Sequence, residues 1–323
     1  MSKPFNLIML SAWHEQGGNV LQRHLDGHPQ LYVAPFETQL ATPLSSNILA
    51  GPQHWVPQRY CWPEFSSETT ALEALDLFWD EEMKTYLRAP SRSKFKDCGL
   101  IIDEKFRKDR FFCRTCDAVT DRDSWRRGNR SVFVEAFFRS TFDAWTNFAK
   151  TGKETHYVGY SPPILFDTDK ILSDFPSAHI VHIVRNPFSG YADTKKRPFP
   201  MSLTKYAQVW NHVQLAALTY QRKYPSNFMV IRYESLIEEP RLTLNAVTDW
   251  IGLERFPADQ VIGPSFNRKP LVQVFPWGTI KTPTVQANIA TANELSHQEC
   301  RAIETECGVM CDQFGYANFK AYQ

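Results

Sequence analysis

The sequence predicts an α/β protein in which a central parallel sheet is flanked by helices. Short apolar runs bounded by turn residues recur along the chain, and the run at 178–184 is the clearest. Amphipathic stretches with a helical period, such as 203–223, lie between these runs. Continuous apolar runs that alternate with helices are typical of strands buried on both faces of a parallel sheet. We therefore expect three layers, with the strands in the middle.

Composition and charge are those of an ordinary globular protein. Of the 323 residues, 43% are hydrophobic and 22% are charged, and the formal net charge is +1. So small a charge creates no global field that would attract nucleic acid or an acidic membrane, so any anion site must be built locally. The first residues show no signal pattern and no stretch is apolar enough to span a membrane. We expect a cytoplasmic protein with a single domain over 1–323.

The first forty residues predict a strand, a loop, a helix and a second strand. Residues 7–10 form the apolar run of the first strand, and 11–18 form a polar loop with two consecutive glycines. Residues 19–26 are helical in pattern, and a Gly-His-Pro sequence stops the helix. The short apolar run at 31–33 is the second strand. This order is half of a parallel βαβ arrangement.

The segment 41–155 is less regular, and we expect it to form an insertion of helices and loops that lies over the sheet. An amphipathic stretch covers 71–87, a charged tract covers 94–130, and an amphipathic helix is predicted over 131–150. Regular alternation returns after this segment. It predicts strands at 156–160, 178–185 and 228–233, and helices at 163–175, 203–223, 242–252 and 295–314.

The seven cysteines are scattered and predict no metal site. Cys113 and Cys116 form a single CxxC pair, whereas structural zinc usually needs a second pair. Cys300, Cys307 and Cys311 follow one another at nearly helical spacing. We expect these three to line one apolar helix face.

The apolar run at 178–184 ends on Arg185, and Asn186-Pro187 follows as a turn signal. In open α/β sheets, ligands bind beyond the carboxyl ends of the strands. A guanidinium at that edge suits a phosphate, because its planar fork makes paired hydrogen bonds to anionic oxygens. A surface salt bridge is the alternative interpretation.

The loop before the first helix is a second candidate anion site. Gly17-Gly18 would let main-chain N–H groups converge on an anion at a helix N-terminus. The loop does not match the P-loop of nucleoside triphosphatases, because no lysine follows Gly18. A tight strand-to-helix turn needs glycine for its own sake and is the alternative.

Four segments together resemble, in order and spacing, the sulfotransferases that use 3′-phosphoadenosine 5′-phosphosulfate (PAPS). They are LDGHPQL at 25–31, FPSAHIVHIVRNP at 175–187, IRYESL at 231–236, and the stretch from 295 to 316. The resemblance covers most of 5–40 and 156–316. It implies a three-layer, P-loop-like fold and sulfuryl transfer. It does not cover 41–155, where acceptor choice would lie.

The resemblance implies which residues bind the donor. The family's 5′-phosphosulfate loop is similar to the segment that contains Gln16, Gly17, Gly18, Asn19 and Val20. The family has Arg or Lys where Glu15 stands, so we expect Glu15 to point away or to bind a cation. The main-chain N–H groups of the loop remain available to the phosphosulfate whatever the side chains are.

Arg185 matches the family's arginine for the nucleotide 3′-phosphate. The serine that usually follows eight positions later is Asp193 here, beside Thr194, and Ser189 or Thr194 is a candidate replacement. Lys195-Lys196-Arg197 would restore positive charge, or would form a solvated basic turn. A late basic and aromatic loop often covers the nucleotide in this family. The resemblance therefore implies that Arg268 and Lys269 reach the 3′-phosphate and that Trp277 or Trp13 stacks on adenine. A loop with a purely structural role is an equally good interpretation of these residues.

Glu37 is the candidate general base, because a glutamate close to this position serves as base in sulfotransferases resembling the protein-tyrosine type. A glutamate that stabilises a helix N-terminus is the alternative interpretation. His54 and then His14 are the next candidates, since other branches of the family use histidine. Lys105 is a candidate partner for the leaving oxygen, although a surface charge cluster explains it as well.

Two functions remain open from the sequence. The first is sulfuryl transfer from PAPS, with 3′-phosphoadenosine 5′-phosphate (PAP) as product, to a hydroxyl or amine of a carbohydrate or small-molecule acceptor. The second is a catalytically degenerate relative that binds a nucleotide or a partner. A nucleotide kinase fits less well, because it would need the P-loop lysine and a Mg²⁺ carboxylate. No nucleic-acid or membrane partner is expected, and a homodimer is left open.

Overall fold

The computed structural model describes residues 4–42, 60–66, 68–79, 98–120, 130–197, 200–271, 283–316 and 319. The chain divides into two compact units. The first comprises Met1–Ile8 and Leu31–Ala178, and the second comprises Met9–Gln30 and His179–Gln323. His54 and Trp277 lie outside the described residues.

A five-stranded sheet confirms the predicted α/β class. Its order is β2-β3-β1-β4-β5, and the strands are β1 (Asn6–Ala12), β2 (Leu31–Val33), β3 (His156–Tyr160), β4 (His179–Val184) and β5 (Phe228–Arg232). β2 pairs with β3 in parallel, and β4 pairs with β5 in parallel. The chain does not place β2 beside β1, because β3 lies between them.

Within its described residues, the first unit holds β2, β3 and four helices. These are α2 (Ala71–Trp79), α3 (Glu104–Thr120), α4 (Arg130–Ala144) and α5 (Thr168–Asp174), the last preceded by a 3₁₀ turn at Ile164–Asp167. The helix predicted over 131–150 ends at Ala144. Trp145 then forms an isolated bridge with Ile102, and the Asn147 side chain donates to the Gly99 carbonyl at 2.7 Å. These contacts turn the chain out of the helix.

The second unit holds β4, β5 and seven helices among its described residues. They are α1 (Gly18–Leu25), α6 (Pro187–Thr194), α7 (Leu203–Lys223), α8 (Tyr233–Glu238), α9 (Pro240–Ile251), α10 (Val285–Ala292) and α11 (His297–Gln313). A two-stranded hairpin of β6 (Ser265–Phe266) and β7 (Lys269–Pro270) precedes α10. Cys300, Cys307 and Cys311 lie on the buried side of α11, as their spacing predicted.

Helix α6 was missed, because Asn186-Pro187 was interpreted only as a turn. In the structure the same pair begins a helix. The Asn186 side chain accepts a hydrogen bond from the Ser189 N–H at 2.8 Å, and Pro187 occupies the first helical position. Both residue types are favoured at those positions. The consequence is that Ser189, Asp193 and Thr194 are helical residues directly after the end of β4.

The core of the second unit surrounds β4. Ile180, Val181, Ile183 and Val184 are fully buried, which is what a continuous apolar run in a parallel sheet predicts. His182 is buried among them, within hydrogen-bond distance of the Ser11 hydroxyl and the Gln214 amide oxygen. Burial lowers the pKa of His182 to about 4.

No helix within the described ranges has both the length and the apolar character needed to cross a membrane. In the same part of the chain, no group of three or more His, Cys, Asp or Glu side chains is arranged to hold a metal ion.

Candidate functional site

The loop between β1 and α1 is held in an unusual backbone conformation. Glu15 has φ of 55° and Gly17 has φ of 94°, so two residues of this short loop are left-handed. A Cβ atom on Gly17 would lie 2.3 Å from Cδ2 of Tyr233. Gly17 is therefore required both by its φ and by the Tyr233 ring against it.

Gln16 fixes this loop to the end of β4. Its side chain is fully buried. The amide oxygen accepts hydrogen bonds from the Arg185 N–H at 2.7 Å and from Trp210 Nε1 at 3.2 Å, and its Nε2 donates to the Tyr206 hydroxyl at 2.9 Å. The side chain thus has a positioning role inside the protein. Nothing in the local sequence signals this, because the partners are far away along the chain.

The first turn of α1 begins with main-chain N–H groups that lie outside the helical hydrogen-bond ladder. The helical ladder begins at the Leu21 N–H, which donates to the Gly17 carbonyl at 3.0 Å. The N–H groups of Gly18, Asn19 and Val20 precede it and do not donate within the helix. The first turn contains no acidic residue that would offset the helix dipole. The predicted residues Gly17 to Val20 thus follow one another at the start of α1, and we name this segment the anion cradle as a candidate binding site. His14 precedes Gly17 by three residues and has an exposed side chain.

Arg185 is fully buried, and protein groups surround its guanidinium. Nε donates to Asn288 Oδ1 at 2.7 Å, and Nη1 donates to the Glu15 carbonyl at 2.9 Å and to Asp193 Oδ2 at 2.9 Å. The guanidinium also lies 5.1 Å from the centre of the Tyr233 ring. Its Nη2 is buried and has no hydrogen-bond acceptor among the described residues.

A polar network continues from Asn288 through Glu234 to Tyr316. Asn288 Nδ2 donates to Glu234 Oε1 at 3.2 Å, and Asn186 Nδ2 donates to the same oxygen at 2.7 Å. The Tyr316 hydroxyl donates to Glu234 Oε2 at 2.7 Å. This network orients Asn288, which in turn fixes the direction of the Arg185 side chain. Glu234, Asn288 and Tyr316 were not among the predicted site residues.

The basic residues after α6 are all ion-paired. Lys195 pairs with Glu299 at 2.9 Å, and Lys196 lies 3.3 Å from Asp193 Oδ1 and 2.6 Å from Glu294 Oε2. Arg197 pairs with the Glu15 carboxylate. Glu15 therefore binds a cation, which is one of the two alternatives expected for it from the sequence. The predicted excess of positive charge is balanced within the protein.

The two hydroxyls proposed to replace the family's serine are committed to main-chain oxygens. Thr194 Oγ1 donates to the Gly190 carbonyl at 2.7 Å, which is a bond within helix α6. Ser189 Oγ donates to the Asn288 carbonyl at 2.8 Å. Both hydroxyls therefore stabilise local structure.

Arg268 lies in the turn of the β6–β7 hairpin. Asn267 and Arg268 have φ of 51° and 64°, the pair of left-handed residues that tight hairpin turns require. The Arg268 guanidinium donates to the His28 carbonyl at 2.7 Å, and the main-chain N–H of Arg268 donates to Asp26 Oδ2 at 2.8 Å. Arg268 thus attaches the hairpin to the segment after α1. Lys269 is exposed.

Glu37 belongs to the first unit. It is partly buried, and its Oε2 accepts a hydrogen bond from the Tyr60 hydroxyl at 2.7 Å. No helix begins within residues 34–42, so the alternative interpretation of Glu37 as a glutamate that stabilises a helix N-terminus is wrong. Glu37 lines a small, mainly apolar pocket with the neighbouring chain and with Phe137, Phe138, Thr141 and Phe142 of α4. Lys105 is exposed on α3.

Comparison with known proteins gives one family. A model described as the Sulfotransferase family matches residues 17–258, about three quarters of the chain. This range includes both the glycine loop from Gly17 onward and the Arg185 strand. No curated protein matches the sequence.

Solved structures with a similar fold are sulfotransferases of low sequence identity. The sulfotransferase domain of the Synechococcus PCC 7002 olefin synthase is 17% identical, with 91% of this chain and 95% of that chain covered and a TM-score of 0.46. The sulfotransferase domain from the curacin biosynthetic pathway is 14% identical, with 95% and 99% covered and a TM-score of 0.44. A sulfotransferase from Alicyclobacillus acidocaldarius is 13% identical, with 94% and 96% covered and a TM-score of 0.37. Because these TM-scores are below 0.5, the assignment rests on the family model, and by that match the chain belongs to the sulfotransferase family.

Proposed function

We propose that this protein transfers a sulfuryl group from PAPS, releasing PAP, to a hydroxyl or amine of a carbohydrate or small-molecule acceptor. The observation that carries the proposal is the anion cradle of Gly17 to Val20. Its backbone is set by two left-handed residues, and Gln16 ties it to the end of β4. A cradle of fixed main-chain donors suits the charge of a transferred sulfuryl or phosphoryl group.

Sulfuryl transfer resembles phosphoryl transfer, in which positioning and electrostatic stabilisation supply most of the catalysis. A base removes the proton of the acceptor as its oxygen or nitrogen attacks sulfur. The bond between sulfur and the bridging oxygen breaks, and the nucleotide leaves with the electron pair. The cradle would stabilise the charge that develops on the leaving side. For the base we propose Glu37, with the Tyr60 hydroxyl fixing one of its carboxylate oxygens.

The cradle can be tested without knowledge of the acceptor. Asn19 occupies the second position of α1, where Asn19→Asp is compatible with the helix dipole but would repel a bound anion. We expect AMP, which carries only the 5′ anion, to bind this variant at least about tenfold more weakly in calorimetric titration.

Gln298→Glu is the matched control, because Gln298 occupies the second position of α11 and is exposed. It adds the same charge and should leave AMP affinity unchanged. Equal AMP affinity of the wild type and Asn19→Asp would show that the first turn of α1 holds no anion, and the proposal would then lose its main support.

The role of Glu37 has its own test. Glu37→Gln keeps the shape of the side chain and its contact with Tyr60 but removes the basic oxygen. We expect AMP affinity to stay the same while turnover falls by roughly 10²–10⁴-fold. Turnover is measured as transfer of labelled sulfate to a panel of hydroxyl and amine acceptors. His14→Gln is the parallel variant, and a loss there with full activity of Glu37→Gln would move the base to His14.

A nucleotide-binding relative without catalysis is the second candidate. It is favoured by Arg185, whose charge is already met by Asp193, and by the ion pair of Glu15 with Arg197. If this second function is correct, AMP binding depends on the cradle and no acceptor yields a labelled product. Glu37→Gln then leaves AMP affinity unchanged and has no turnover to reduce.

A further inference from the structure

We propose that the pocket lined by Glu37 binds the hydroxyl end of an apolar alcohol, and that the buried amide of Gln39 holds this hydroxyl. The acceptor is then an alcohol with an apolar body, and a carbohydrate does not fit. The inference rests on the proposed function for the transfer step and narrows its acceptor class, whereas binding of the alcohol depends on this pocket alone.

The pocket lies within the first unit and is lined by the segment that follows β2 and by helix α4. Its volume of about 20 Å³ has room for about one or two groups the size of a water molecule. Among the described residues of its wall, Glu37 is the only one that is not buried, so Glu37 lies at the mouth. The apolar residues of the wall are Ala34, Pro35, Phe36, Phe137, Phe138 and Phe142.

Gln39 is a polar residue in this apolar wall, and its amide has no partner. The residue is 3% exposed, and neither Nε2 nor Oε1 makes a hydrogen bond to any residue that the structure describes. An unpaired amide in an apolar environment costs free energy, and buried polar groups in folded proteins are nearly always paired. The amide therefore indicates that a polar group from outside the chain enters the pocket.

The other side-chain donors of the described wall are already used within the protein. Thr38 Oγ1 donates to the Tyr160 carbonyl at 3.1 Å, and Thr141 Oγ1 donates to the Phe137 carbonyl at 2.7 Å. Each hydroxyl has a single proton, so neither can donate to a ligand as well. Gln39 Nε2 is therefore the side-chain donor that this wall offers to a ligand.

A neutral hydroxyl on an apolar body matches this pocket. Its oxygen can accept from Gln39 Nε2 while its proton is directed to Glu37, the proposed base. On transfer, that proton passes to Glu37, the acceptor oxygen bonds to sulfur, and the bridging oxygen leaves with the electron pair on PAP. A sugar would bring several further hydroxyls against apolar side chains, and each one left unpaired opposes binding. An ammonium group would bring a charge into the same apolar wall, at a still larger cost.

Urea unfolding of Gln39→Met tests whether the amide is unpaired. Methionine has a similar length and needs no partner, so we expect the unfolding midpoint to rise. The same change at Gln16, whose amide is paired, should lower the midpoint, and the same change at the exposed Gln208 should leave it unchanged. A midpoint of Gln39→Met at or below the wild-type value overturns the inference, because the amide would then be paired within the protein.

Binding to the wild-type protein tests the acceptor class directly. Cyclohexylmethanol and methyl glucoside present the same hydroxymethyl group on a saturated ring, and only the first ring is apolar. In calorimetric titration we expect cyclohexylmethanol to bind at least about tenfold more tightly than methyl glucoside. Gln39→Met should weaken cyclohexylmethanol binding by at least about threefold. A smaller preference, no binding of either compound, or unchanged affinity in Gln39→Met overturns the inference.

The outcomes separate this inference from the proposed function. If cyclohexylmethanol binds but receives no labelled sulfate from PAPS, and no other acceptor does, the proposed function is lost and the alcohol-binding pocket stands. If methyl glucoside receives sulfate in preference to cyclohexylmethanol, the inference is lost and sulfuryl transfer stands. Preferential transfer to cyclohexylmethanol that weakens in Gln39→Met supports both.

Discussion

At the scale of single residues, the conformation of the anion cradle depends on Gly17. Two separate constraints act on it, a left-handed φ of 94° and the Tyr233 ring at the position of a Cβ. Burial also raises the pKa of Tyr233 to about 12, so the ring beneath Arg185 carries a neutral phenol near neutral pH. A side chain at position 17 would have to displace this ring or move the loop.

Comparing Gly17→Ala with Gly252→Ala separates the steric effect of the Tyr233 ring from the cost of a left-handed φ. Gly252 has a similar φ of 85°, but a Cβ atom on Gly252 would meet no atom within 4 Å. We expect Gly252→Ala to cost about 1 kcal/mol of unfolding free energy. Gly17→Ala should cost about 1–3 kcal/mol more, because it also creates a steric overlap. Urea unfolding of both variants measures the difference, and equal losses would mean that the Tyr233 ring yields without cost.

At the scale of elements, the loop, β4 and α7 are joined through one amide. Gln16 links the Arg185 N–H at the end of β4 to Trp210 and Tyr206 of α7. Helix α7 begins and ends where its amphipathic pattern predicted, at Leu203 and Lys223. The pattern could not show what its buried face holds, because this depends on a residue from a distant loop.

Gln16→Met tests this link, because methionine has similar length but neither donates nor accepts strongly. The variant leaves the Arg185 N–H and the Tyr206 hydroxyl without Gln16, and we expect a loss of roughly 2–4 kcal/mol of unfolding free energy. AMP affinity should fall as well, because the loop is no longer tied to β4. Gln208→Met is the control on the exposed side of α7. If both variants unfold at the same urea concentration, Gln16 has no clamping role.

At the scale of the whole molecule, buried and half-buried histidines make folding sensitive to acid. Burial lowers the pKa of His24, His28, His179 and His182, the last to about 4. In the unfolded chain a histidine takes up its proton near its ordinary pKa of 6.5. Between these two values the unfolded state binds more protons than the folded state, so stability rises with pH.

His182→Gln measures the contribution of His182, whose pKa burial lowers to about 4. Glutamine can still reach Ser11 and Gln214 but does not titrate. Between pH 4 and pH 6.5 we expect the wild-type unfolding free energy to rise, and the rise should be smaller in the variant by up to about 3 kcal/mol. His212→Gln is the control, because His212 is exposed on α7. The same pH slope in wild type and His182→Gln would show that His182 is not buried in its neutral form.

Periodicity and turn chemistry in the sequence were sufficient for most of the elements. The apolar run before Arg185 is strand β4, and the glycine loop does lead from a strand into a helix. The resemblance to the family marked Asp193 as a departure from its serine, and Glu15 as a residue that would point away or bind a cation. The strand and the loop are local features, because each depends on the preferences of side chains that are only a few positions apart.

The tertiary structure alone decided what the polar residues do. Gln16 is 169 positions from the Arg185 N–H that it binds, and Arg185 is 103 positions from Asn288. No local preference specifies such partners, because a buried polar group bonds to whatever distant groups the fold brings within about 3 Å of it. The sequence by itself determined the strands of the sheet, several of the helices and the loop at the edge of the sheet. Only folding decided that the arginine at that edge faces a buried carboxylate of its own chain.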